Sequence, residues 1–299
     1  MREFEIFTDS TCCLSTETME KYKINCIPMH FFIDGKEYSA RRDFAPFTPH
    51  EFYELVKTGI KIKSSQINQS EYEAAFKQAL DAGKDVLSVS CTGALSASVR
   101  ESMKARDALK GKYEGAKIIT IDSLSACFAL GMVVVEAAKL REQGKGVDEV
   151  AAWIEENKSH FSEVGTVEKL TYLKNAGRIS ASAAFFGNIL GVKPVIVADE
   201  LGNNVAIEKV KGRKNSLEKC AEHVAKYAQP EVLNKICIAH GDCLADAETL
   251  AEMIKSKFPE NTFEFEFGYI EQGMGTSCGP GTIIVDYYGK EGIRTTSKK

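Results

Sequence analysis

Asp85-Val86-Leu87-Ser88-Val89-Ser90-Cys91-Thr92-Gly93-Ala94-Leu95-Ser96-Ala97-Ser98 is the stretch whose reading decides the fold. Its first five residues form a short apolar run that reads as a buried strand. Residues 99–109 then alternate apolar and charged side chains at helical spacing. A strand entering a helix through small hydroxyl residues leaves free backbone N–H groups at the helix start. Those donors, with the positive end of the helix dipole, favour an anionic ligand group. Ser96 and Ser98 either cap that helix or turn outward to donate to a carboxylate or phosphate. Two more polar loops follow strands in the same half: Thr8-Asp9-Ser10-Thr11 after residues 4–7, and Asp122-Ser123 after residues 116–121. Alternating strand and helix predicts a parallel sheet flanked by helices. In such a sheet these loops gather at the strand carboxyl ends, where ligands bind.

The 299 residues suffice for about two domains, and we place the boundary near residue 160. Residues 1–160 are then an N-terminal α/β subdomain and 161–299 a C-terminal α/β subdomain with a mixed or largely antiparallel sheet. Apolar residues make up 44% and charged residues 27%, as in an ordinary soluble globular protein. A net charge of −4 gives no pull toward nucleic acid or an anionic membrane surface. The most apolar segment, residues 126–138, is too short for a membrane span. No signal-peptide pattern opens the chain. These features are those of a cytoplasmic protein. Nine cysteines without C-x-x-C spacing, and five histidines at no zinc-finger interval, predict reduced thiols and no metal site.

Along the N-terminal half, residues 24–33 read as a strand turned at Asp34-Gly35, a strong hairpin signal. Thr48-Pro49-His50-Glu51 starts a helix to about residue 58. Lys63-Ser64-Ser65-Gln66 reads as a polar loop. Ser70 and Glu73 then form a capping box for a helix reaching residue 82. Long helices are expected to residue 143 and over 147–158. In the C-terminal half, 170–175 and 181–190 read as helices and 192–197 and 205–210 as antiparallel strands around Gly202-Asn203-Asn204. Helices over 216–227 and 244–258 flank a strand at 235–239. The glycine-rich segment 273–281 reads as a tight loop opening a final strand over 282–288.

Two chemistries remain open for these residues. Ala94-Leu95-Ser96-Ala97-Ser98 has a loose likeness to a nucleophile elbow, and His240 in His240-Gly241-Asp242 is the one good base candidate. A Ser or Cys hydrolase or a phosphoryl-transfer enzyme would use Ser96 or Cys91 with His240. The other reading is binding. Arg178, set between Gly177 and Ile179 beyond a helix end, can hold a carboxylate bidentately, or serve a structural ion pair.

Taken in order, Thr8-Asp9-Ser10-Thr11, Ser64-Ser65-Gln66, Leu95-Ser96-Ala97-Ser98, Ile121-Asp122-Ser123, Asn175-Ala176-Gly177-Arg178-Ile179, His240-Gly241-Asp242 and Gly279-Pro280-Gly281 resemble the DegV family of bacterial fatty-acid-binding proteins. The resemblance covers nearly the whole chain. It implies two α/β subdomains with one long-chain fatty acid buried in the cleft between them, no enzymatic activity, and no cofactor. It implies an apolar tunnel for the acyl chain and a carboxylate met by hydroxyls and a basic group. By that resemblance the ligand-binding residues are Ser64, Ser65, Leu95, Ser96, Ser98, Arg178 and Ser277. Some family members present the bound acid to a separate fatty acid kinase, which makes such a kinase a candidate partner here. Three positions depart from the family pattern: Ile67 replaces a proline, Ala97 a glycine, and Ser277 the histidine that many members carry before Gly-Pro-Gly.

Overall fold

A computed structural model of the chain describes residues 2–179, 191–290 and 292–294. In chain order the N-terminal half contains β1 (Phe4–Asp9), α1 (Thr16–Lys21), β2 (Ile24–Ile27), β3 (His30–Ile33), β4 (Lys36–Ser39) and α2 (Pro49–Lys57). It continues with β5 (Ile62–Ser65), α3 (Gln69–Asp81), β6 (Asp85–Ser90), α4 (Ser98–Leu109), β7 (Ile118–Asp122), α5 (Cys127–Glu142) and α6 (Val147–Asn157). Beyond these lie β8 (Phe161–Thr166), α7 (Thr171–Ala176), β9 (Val192–Ala198), β10 (Asn204–Lys211), α8 (Arg213–Tyr227) and β11 (Lys235–His240). The described chain closes with α9 (Leu244–Lys257), β12 (Glu264–Tyr269), α10 (Gln272–Cys278) and β13 (Ile283–Tyr288). The helix expected at 181–190 lies outside the described residues.

Among the described residues β2-β1-β6-β7 form a parallel four-stranded sheet. All six residues of β6 are buried, as a central strand covered on both faces requires. A mixed sheet, β10-β9-β8-β13-β11-β12, holds the C-terminal half, with β11 and β12 parallel and the other pairs antiparallel. A small antiparallel sheet, β4-β3-β5, packs beside them. The molecule is therefore an α/β protein with the expected parallel sheet and a second, largely antiparallel one. Helix α5 packs against β1 and β6 of the first sheet and β8, β11 and β13 of the second. That position explains its sequence: residues 127–134 are all buried, and a helix with an apolar surface all round belongs inside a core. One apolar cluster accordingly runs from Phe4 and Leu87 through Phe128 to Phe161, Ile196 and Tyr288.

Several local expectations hold. Asp34 and Gly35 both take positive φ, at 48° and 85°, in the two-residue β3–β4 turn. Thr48 and Glu51 form the reciprocal capping box of α2. Others are corrected. The strand expected over 24–33 is two strands in different sheets, separated by Pro28, which lacks the N–H a continuous ladder needs. Ser64 and Ser65, expected in a loop, lie in β5, paired through backbone groups with Phe31 and His30. The α3 capping box is Asn68 and Glu71, two residues before the expected pair, because the Asn68 side chain accepts from the Glu71 N–H at 3.1 Å. The segment 273–278 is helical despite its glycines: the buried Glu271 carboxylate accepts from Gly273 N at 2.6 Å and Met274 N at 2.7 Å and starts α10. Strands β8 and β12 are additions to the expected set.

Gly131 sits inside α5 where a Cβ would lie 2.4 Å from the Cys12 carbonyl oxygen and 2.9 Å from Leu14 Cδ2. Helix propensity favours alanine over glycine by about 1 kcal/mol, whereas forced overpacking costs about 1–3 kcal/mol. Urea unfolding of Gly131→Ala is expected to show a loss of stability of up to about 2 kcal/mol; a gain would contradict this packing.

Candidate functional site

Two carboxylates at strand ends fix the loop that follows β6. Asp9, at the end of β1, accepts from Cys91 N at 2.7 Å with one oxygen and from Thr11 N at 3.1 Å and Thr11 Oγ1 at 2.5 Å with the other. Asp122, at the end of β7, accepts from Gly93 N at 3.0 Å and Leu124 N at 2.9 Å. A Cβ at Gly93 would lie 2.8 Å from that Asp122 oxygen, so the approach depends on glycine. Within the loop, Ser96 Oγ donates to Ser98 Oγ at 3.0 Å and accepts from Ser98 N at 3.2 Å. Ser98 Oγ also accepts from Ile67 N at 3.2 Å. Ser98 is fully buried and ties the loop to the segment after β5, while Ser96 faces the opening.

That opening is a cavity of about 300 Å³, the lower end of the ~300–1,000 Å³ typical of ligand pockets. Its walls bring together Ser64 and Ser65 of β5, Leu95 and Ser96 of the loop, Arg178 after α7, and Ser277 of α10. Of the seven residues the resemblance singled out, six border it, and Ser98 stands one layer behind. Met29, Val167, Leu173, Ile196 and Ile284 supply apolar wall.

Arg178 is aimed by the end of its helix. Gly177 takes φ 67°, and the Arg178 N–H donates back to the Leu173 carbonyl at 2.9 Å, which closes α7. Its Nε donates to the Leu95 carbonyl at 3.1 Å and its Nη1 to the Ala176 carbonyl. Arg100, also on the cavity wall, donates from Nη1 to the Gly93 carbonyl at 3.0 Å. Both guanidinium groups are exposed and bonded to carbonyls, so positive charge stands at the mouth.

Sequence reasoning did not reach Glu163, a wall residue of the cavity on the unpredicted strand β8. The available signal was Phe161-Ser162-Glu163-Val164-Gly165-Thr166-Val167, where one face of a short strand carries a single charged residue. Burial pushes the Glu163 carboxyl up to about 7, with Arg294 acting in the other direction. Asp286, its ladder partner on β13, is pushed well up by burial and by Glu163 itself.

The hydrolase arrangement does not assemble among the described residues. His240 accepts from Cys243 N at 3.3 Å, and its ring stands 4.5 Å from that of Tyr269; it is absent from the cavity wall that Cys91 and Ser96 share. Burial and the neighbouring Asp9 raise the Cys91 thiol well above its ordinary value, the reverse of an activated nucleophile. All nine cysteines are free thiols. Ligand atoms of His50, Glu54 and Asp242 lie within 4.8 Å of one another and could hold a metal ion. As they stand, His50 Nδ1 and Asp242 Oδ2 pair at 2.8 Å and Glu54 pairs with Lys57 at 2.5 Å. No described helix is long and apolar enough to cross a membrane.

The cavity draws its wall from both halves of the chain and is within the size range of small-molecule pockets. The family profile described as "Uncharacterised protein, DegV family" matches residues 3–290, and the chain belongs to the DegV family. A DegV domain-containing protein of Clostridium perfringens is 36% identical over 289 residues, covering 97% of this chain and 98% of that protein. One from Listeria monocytogenes is 29% identical, covering 93% and 95%. The fold is similar to that of DegV, a fatty acid binding protein from Bacillus subtilis, with TM-score 0.83, 23% identity and coverage of 97% and 100%. It is also similar to a stearic-acid-binding protein from Eubacterium ventriosum, with TM-score 0.84, 21% identity and coverage of 95% and 98%.

Burial pushes Glu271, like Glu163, up to about 7. These folded-state values lie above the ordinary carboxyl value of 4.5, so the folded protein binds more protons than the unfolded chain between about pH 4.5 and 7. The stability these groups contribute is complete below that window and falls as pH rises through it. Glu271→Gln keeps an acceptor for the α10 N–H groups and removes the titration. Urea unfolding at about pH 5 and about pH 7.5 is expected to show a loss between the two that is smaller in Glu271→Gln by on the order of 3 kcal/mol; parallel losses would contradict it.

Proposed function

We propose that this chain binds one long-chain fatty acid in the cavity between its sheets and carries it without chemical change. The supporting observation is the composition of that cavity's wall: Met29, Leu95, Val167, Leu173, Ile196 and Ile284 together with Ser64, Ser65, Ser96 and Ser277, and Arg178 at the mouth. Hydroxyl donors and a guanidinium hold a carboxylate by hydrogen bonds and charge and have no activated nucleophile to attack it. In this reading Leu95 meets the acyl chain, and Ser98 acts through Ser96 and Ile67. The division of labour follows from magnitudes. About 14 buried methylenes at about 0.8 kcal/mol each contribute ~11 kcal/mol before ordering costs, so the tail supplies affinity and the head group sets orientation. The solved relatives described as binding fatty acids, one of them loaded with heptadecanoic acid, favour the same reading. Presentation of the acid to a fatty acid kinase belongs to it as well, with Ser277 offering one neutral hydrogen bond where a histidine would offer charge.

Native mass spectrometry of protein purified from cells is expected to show one bound acyl chain per protein. Ser96→Ala and Arg178→Ala are each expected to weaken binding of added palmitate or oleate by about five- to tenfold. A clean ligand-free mass with no uptake of either acid would overturn the proposal.

A further inference from the structure

Glu163 is out of place in the wall it occupies. The pleat of β8 turns Glu163 and Gly165 to one face, and both border the cavity beside Ile196 of the neighbouring strand β9. The residue is 9% exposed, and no described residue hydrogen-bonds its Oε2. Its neighbours do not compensate. Across the ladder stands Asp286, a second buried carboxyl, which faces the Ala129 N–H and the Cys127 thiol at the start of α5 and offers Glu163 no donor in its ionised form. Arg294, the nearby cation, directs its guanidinium to the Leu124 and Phe161 carbonyls and to Ser125 Oγ. The unpartnered Oε2 is closed off from the cavity, so an occupant meets this wall carboxyl through its other oxygen, for which no described residue supplies a hydrogen bond.

The position of that partner along the ligand follows from strand register. Thr166 pairs with Ile283, close to the end of α10 where Ser277 lies, and Glu163 pairs with Asp286. Three residues along a strand separate the two points by about 10 Å. With the carboxylate at the Ser277 end, Glu163 therefore faces the middle of an acyl chain. A hydroxyl suits the carboxyl in either protonation state, since it donates to the ionised form and accepts from the neutral one. A plain methylene satisfies neither.

We infer, on the basis of the fatty-acid reading above, that the cavity is built for an acyl chain hydroxylated near its middle, with the hydroxyl held by Glu163. Displacement of a fluorescent fatty acid by stearate and by a series of mid-chain hydroxystearates tests this in wild type, Glu163→Leu and Glu163→Gln. Wild type is expected to bind at least one hydroxystearate about tenfold more tightly than stearate. Glu163→Leu is expected to lose that preference, so that stearate and the hydroxystearates bind alike, and Glu163→Gln to retain part of it through its amide. Stearate binding as tightly as every hydroxy isomer in wild type would overturn the inference and leave fatty-acid binding intact. A hydroxyl preference that persists in Glu163→Leu would overturn the role of Glu163. Failure of stearate and all hydroxystearates to bind wild type would overturn the inference together with the fatty-acid reading beneath it.

Discussion

The buried carboxylate of Asp9 is the constraint on which the cavity wall depends. A carboxyl taken wholly out of water is costly unless hydrogen bonds replace its hydration, and three donors from Thr11 and Cys91 do so. Burial raises the Asp9 pKa while those bonds draw it back. Because the bonds run from the end of β1 to the start of the loop after β6, they lock two neighbouring strand ends together. Asp122 repeats the device at the end of β7. The loop that carries Leu95 and Ser96 is thereby held at its root, and a small-residue loop that would otherwise be conformationally free becomes a fixed wall.

The second half of the wall is built by a different economy. Helix α5 fills the space between the parallel and mixed sheets, and Gly131 lets it approach the Cys12–Leu14 backbone. The same space holds Glu163 and Asp286 of the mixed sheet, and Glu271 is buried at the start of α10. Each of these acids lowers stability in its ionised form. Glu271 repays its burial by starting a glycine-rich helix that brings Ser277 to the cavity. Glu163 has no such structural return in the described chain, and its place on the cavity wall leaves that to the occupant.

Much of this was legible in the sequence because local signals and tertiary demands agreed. The apolar run of β6, the hairpin at Asp34-Gly35 and the Thr48–Glu51 capping box each specify one geometry. The glycine-rich segment before Pro280 was misleading for the opposite reason. Glycine argues against helix, and only the capping by Glu271 and the close approach of Gly275 to Phe52 and Tyr53 reverse that preference. Ser64 and Ser65 look like loop residues, yet an antiparallel partner through backbone hydrogen bonds makes them a strand. At the site, six of the seven residues pointed to by motif order meet at one cavity. Ser98 is adjacent in sequence to that group, but hydrogen bonding to Ser96 and Ile67 turns it inward, which no spacing rule distinguishes. Glu163 went unseen because its strand did, and its importance lies in what it lacks, a partner, which is a property of three-dimensional surroundings.

The central claim is that the space between the two sheets, bounded by the loop after β6 and by α10, holds an acyl chain. A crystal structure of the protein loaded with a bromine-labelled long-chain fatty acid tests it most directly through the anomalous signal of the bromine. The account predicts a single strong peak between β8 and the loop after β6, with the carboxylate density against Ser96 and Ser277. A peak on the outer surface of the protein, or an occupied cavity with the carboxylate at the Glu163 end, would contradict it.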